Sequence, residues 1–140
     1  MRFILLVAAM LAVSGPVLAG SGNIEALSKN ETRMLAKMAR QMQANLRRQH
    51  ARQKQDALFE KPTVDFDEAS RTITVTQRLL RHVDGGTRER IRASVEAQKP
   101  NLCLALRPRA VRRTALAIEV RALRDDGNSI AATRASPDDC

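Results

Sequence analysis

Two hydrophobic periods alternate along this chain, and the switches between them mark its elements. From about 24 to 60 neither Gly nor Pro interrupts, and Leu27, Met34, Met38, Met42 and Leu46 recur at helical spacing. One long helix with a single apolar stripe is predicted, with a local start at Asn30 and Glu31. The stripe stops after Leu46. Residues 47–56 contain nothing apolar but Ala51, and Leu58-Phe59 restores the pattern before Pro62 ends the helix. A polar stretch of this length either projects beyond the domain or lies on its surface facing a partner.

After Pro62 the period falls to two. Val64-Asp65-Phe66 reads as a short strand, residues 67–70 as a turn, and 71–80 as its partner strand. Ile73, Val75 and Leu79 would face the core, with Gln77 as the odd member, while Thr72, Thr74, Thr76 and Arg78 face out. Asp84-Gly85-Gly86 breaks the chain, and Thr87 can cap a second helix carrying Ile91, Val95 and Gln98 on one face. Pro100 interrupts it. Residues 101–113 read as further helix with Cys103, Leu104 and Leu106 inward and a last turn opened by Pro108. Leu116, Ile118, Val120 and Ala122 then alternate with Ala117, Glu119, Arg121 and Leu123. Asp126-Gly127 makes a turn, and 129–134 return as a strand. The expected fold is α+β in two layers: a long N-terminal helix and a second helical region on an antiparallel sheet of about four strands, built from two hairpins.

The first 19 residues follow a different logic. Met1-Arg2 is a positive start, Phe3 to Val13 an apolar run, and Val17 and Ala19 are small residues before a cut at Gly20. That is the pattern of a secretory signal peptide. The run is too short to cross ~30 Å of hydrocarbon, and Gly15-Pro16 breaks it, so no transmembrane anchor is expected. The domains are therefore a signal over 1–19, a flexible leader over 20–29 and one α+β domain over 30–140. The product belongs in the bacterial periplasm or outside the cell.

Export gives the cysteines their meaning. Cys103 and Cys140 are the only two in the chain, and in an oxidising compartment they are expected to form one disulfide. The five residues between Arg134 and Cys140 reach at most about 17 Å, so the end of the last strand must lie near the second helical region.

Composition narrows the function. The net charge is +9, and loss of Arg2 with the signal leaves +8; 19 of the 24 basic residues are Arg. Tyr and Trp are absent, so the usual anchors of protein hot spots and of base stacking are missing. No Gly-x-Ser-x-Gly elbow, Ser-x-x-Lys box or phosphate loop is present. His50 lies among arginines and reads as solvated. His82 stands two residues from Asp84, an unspecific pair. Asp125-Asp126-Gly127-Asn128 lacks the alternate acids and distal Glu of a calcium loop and reads as a hairpin turn. No metal, cofactor or catalytic residue is assigned, and an enzyme is not expected.

Helix one remains. Arg40, Arg47, Arg48, Arg52 and Lys54 make the densest basic segment and a candidate surface for a partner or an anion. Met34, Met38 and Met42 have adaptable thioethers and are a candidate apolar peptide surface, although the same stripe serves to pack a helix on a sheet. The expected function is a non-enzymatic envelope or secreted protein that binds another protein or peptide. The alternative is a basic protein that binds nucleic acid, lipopolysaccharide, an acidic cell-wall polymer or an anionic membrane surface.

Overall fold

The structure, a computed structural model, describes residues 26–53 and 58–140. The signal over 1–19, most of the leader and Lys54 lie outside the described residues. The chain runs α1 (Lys29–Arg52), β1 (Thr63–Asp67), β2 (Thr72–Arg78), α2 (Gly85–Glu96), α3 (Lys99–Ala105), α4 (Arg109–Arg112), β3 (Ala117–Leu123) and β4 (Ser129–Ala135), then a short 3₁₀ turn at Pro137–Asp139. The helices cover one face of a four-stranded sheet in the order β1-β2-β3-β4. This is the expected two-layer α+β architecture.

The sheet is mixed and not wholly antiparallel. β1–β2 and β3–β4 are antiparallel hairpins, but β2 and β3 run parallel, with Ile73 opposite Ile118 and Val75 opposite Val120. The cause is the connection. The helices α2 to α4 carry the chain back to the end where β2 began, so β3 starts in the same direction. The register places Ile73, Val75 and Gln77 beside Ile118, Val120 and Ala122, as the alternation predicts. β4 carries one extra residue, Ile130, at a register shift opposite Ala122 and Leu123, and that side chain is buried.

The core is aliphatic. Leu35 and Met42 of α1 join Ile73, Val75, Ile91, Val95, Leu102, Leu106, Leu116, Ile118 and Val120 in one buried cluster. Phe59 and Phe66 only pack against its border.

Helix α1 begins within the stretch that reads as helix, just ahead of the local start at Asn30, and ends earlier than that stretch does. Ser28 caps it: its hydroxyl accepts from the Glu31 amide (3.1 Å), while the Glu31 carboxylate accepts from the Ser28 amide (3.0 Å). Leu27 packs on the core, so the folded part starts ahead of residue 30. At the other end α1 stops at Arg52. Leu58 to Glu60 are extended instead of helical: the Leu80 amide donates to the Leu58 carbonyl, the Glu60 amide to that of Arg78, and Phe59 bridges Leu79. The helix has nothing apolar to bury beyond Leu46, so Leu58 satisfies its burial from the sheet edge. His50 is half-buried and hydrogen-bonds the Phe59 carbonyl at 2.9 Å, which ties the last turn of α1 to that edge. Midway, Gln43 accepts from the outward amide of Val64 on β1 (3.1 Å), closing part of an edge strand.

Helix α2 is capped by Asp84, not Thr87. The Asp84 carboxylate accepts from the Thr87 amide at 2.6 Å. The Thr87 amide first, then its hydroxyl, with Arg90 and Arg88 adding attraction, hold that carboxyl below its ordinary range. A depressed folded value means that this cap stabilises the protein above the normal carboxylate range and fails as pH falls through the folded value.

Among the described residues two non-glycine positions have left-handed backbone, Arg71 (φ 51°) and Ala115 (φ 56°). Ala115 closes the turn after α4, its amide donating to the Arg112 carbonyl (3.2 Å). An L side chain is disfavoured there and glycine is not. Ala115→Gly is expected to raise stability by about 0.5–1 kcal/mol in a urea melt; a loss would mean that the methyl group packs usefully.

The tail closes on the helical layer as its reach requires. Cys103 of α3 and Cys140 form a disulfide with Cα atoms 5.5 Å apart. Asp139 accepts from both the amide and the hydroxyl of Ser136, which fixes the 3₁₀ turn.

Candidate anion-binding face

α1 is 24 residues long, a rod of about 36 Å. Its buried side is Leu35, Met38, Ala39, Met42 and Leu46. Seven basic residues occupy other positions: Lys29, Arg33, Lys37, Arg40, Arg47, Arg48 and Arg52, every one exposed. The i, i+3 and i, i+4 spacings among them set these charges along the solvent side of the rod. Glu31 is the only acid in the helix, and the cap occupies it. Among the described residues none of the seven takes part in an ion pair. Like charges at such spacing destabilise a helix slightly. Here the capping box, the Gln43 and His50 tethers and the buried stripe hold the helix against that repulsion.

Of the basic segment singled out in the sequence, Arg40, Arg47, Arg48 and Arg52 are exposed on this face. Lys29, Arg33 and Lys37 belong with them and were not singled out. The i, i+4 spacing of residues 29, 33 and 37 was the available signal, but a search for local density passes over it. The methionines fall elsewhere. Met38 and Met42 are 3% and 1% exposed within the core, and Met34 packs against it half-buried. Two of the three thioethers are therefore taken up in packing α1 on the sheet.

The remaining surfaces differ in charge. On α2 the signs are mixed: Glu89 pairs with Arg92 at 2.5 Å, and Glu96 and Arg90 are exposed as well. The bare face of the sheet mixes signs: Glu119 of β3 pairs with Arg121 and lies 3.9 Å from Arg134 of β4, while Asp65 and Asp67 occupy the same face of β1. A second basic cluster surrounds α4, where Arg107, Arg109, Arg112 and Arg113 are exposed. Arg112 donates to the Arg107 carbonyl at 3.5 Å, and Arg71 to the Thr114 carbonyl at 3.4 Å. A shallow depression of about 240 Å³, lined by Leu27, Lys29, Thr32, Arg33 and Glu68, opens at the start of α1.

The weaker chemical candidates find ordinary explanations. His82 is exposed, and Asp84 is engaged in capping α2. Asp126 accepts from both the amide and the side chain of Asn128, while Arg78 donates to the Asp125 carbonyl, as a hairpin turn requires. Gly127 supplies the left-handed residue of that turn (φ 90°). Among the described residues no three His, Cys, Asp or Glu side chains converge, and no helix is long and apolar enough to cross a membrane. Comparisons with protein-family models, curated proteins and solved structures found no match to this chain.

Proposed function

We propose that this is an exported, non-enzymatic protein that binds an anionic partner through the solvent face of α1. One observation carries the reading: seven exposed cations on a single helix, whose one acid is used in its own cap. The disulfide and the lack, among the described residues, of a membrane-crossing helix are compatible with a place outside the cytoplasm. Export itself rests on the pattern of residues 1–19. Binding through an apolar peptide surface on α1 loses its support, because Met38 and Met42 lie in the core. The charges that remain favour the anionic alternative.

Retention on immobilised heparin tests this. The mature protein should bind at low salt and elute at clearly higher salt than a variant carrying Arg40→Gln, Arg47→Gln, Arg48→Gln and Arg52→Gln. Equal elution of the two would remove α1 as the binding face.

A further inference from the structure

We infer that the anionic partner is duplex nucleic acid, held by its phosphates along α1; this rests on the anion-binding reading above and names its ligand. The exposed positions of α1 hold no apolar side chain larger than alanine and no aromatic ring. A protein partner would find nothing to bury at the centre of an interface. A single strand would find nothing on which to stack its bases. A bilayer would gain no inserted apolar group.

A duplex avoids these difficulties. It presents about one phosphate per 1.7 Å of axis and keeps its bases stacked inside. A helix with its side chains is about 10–12 Å across, which matches a major groove about 12 Å wide. Five of the seven cations are Arg, whose planar fork matches phosphate oxygens. The exposed amides of this face are only Asn30 and Gln41, so recognition follows the backbone and not the sequence.

Fluorescence anisotropy of the full exported protein, disulfide formed, with two unrelated labelled 20-base-pair duplexes tests the inference. The two should bind alike at 50 mM salt and lose affinity about a thousandfold by 200 mM, as about six phosphate contacts require. Arg33→Gln, Lys37→Gln, Arg40→Gln and Arg47→Gln together should lower the salt slope by about 3.6. The control with Arg107, Arg109, Arg112 and Arg113 changed to Gln removes the same charge and should leave that slope in place. Circular dichroism melts establish that both variants fold. Equal losses in the two variants, or no duplex binding at 50 mM, overturn the inference. Binding to phosphatidylglycerol vesicles without duplex binding would overturn it while leaving the anionic reading intact. Failure with duplex, vesicles and heparin alike would overturn both.

Discussion

Reducing the Cys103–Cys140 bond, or replacing Cys103 with Ser, should lower the unfolding free energy by about 3–4 kcal/mol. The bond closes a loop with a sequence separation of 37, and chain entropy alone assigns a loop of this length that value. A domain of this size has about 5–15 kcal/mol in total, so the loss is a large share. The loss should also be local at first. Cys140 is exposed, and the segment from Ser136 to Asp139 is held mainly by its own capping bonds and by the bridge. Urea melts with and without reductant give the magnitude, and hydrogen exchange gives the place. The tail and β4 should lose protection before β1 and β2. A difference below 1 kcal/mol, or uniform loss of protection, would show that the tail is secured by packing instead.

The bridge was legible because two cysteines in an exported chain have one simple pairing, and the five-residue tail then sets the end of the last strand near α3. The inward faces of β2 and β3 were legible too, since alternation alone sorts Ile73, Val75, Ile118 and Val120 from their neighbours. Strand order was harder. Alternation within a strand says nothing about its neighbour, and the parallel β2–β3 pair is encoded in the helical crossover, which the reading as two hairpins left out. The end of α1 was misread because two apolar residues, Leu58 and Phe59, fit a helix period as well as an extended one. Ser28 with Glu31, and Asp84 with Thr87, are capping signals visible in the sequence, but in each case a second cap-forming residue two or three positions later competed. The basic face was half legible. Arg40, Arg47, Arg48 and Arg52 stood out by density, whereas Lys29, Arg33 and Lys37 join them only when the helix is given its phase. The phase also decided the methionines, by turning Met38 and Met42 inward.

Changing Lys37, Arg40 and Arg48 to Glu should abolish polyanion binding while leaving the fold intact. All three side chains are exposed and take no part in the described ion pairs. Glu at 37 would stand four residues after Arg33, and Glu at 48 four residues before Arg52. Such pairs contribute about 0.3–0.5 kcal/mol each, so stability should stay within about 1 kcal/mol of the parent. Three lost phosphate contacts at 50 mM salt correspond to about a thousandfold in affinity, and the new negative charges add repulsion. A stable protein that no longer binds would separate the role of the face from its contribution to folding. Unchanged affinity in the folded variant would place the contact elsewhere.

The most direct measurement is an amide chemical-shift titration of the disulfide-bonded protein with a short heparin oligosaccharide. The shifts should concentrate between residues 29 and 52, fade as salt is added, and leave Glu89 and Glu96 of α2 undisturbed. Shifts concentrated on Arg78, Arg121 and Arg134 of the bare sheet face, or on 107–113, would contradict the assignment of binding to α1.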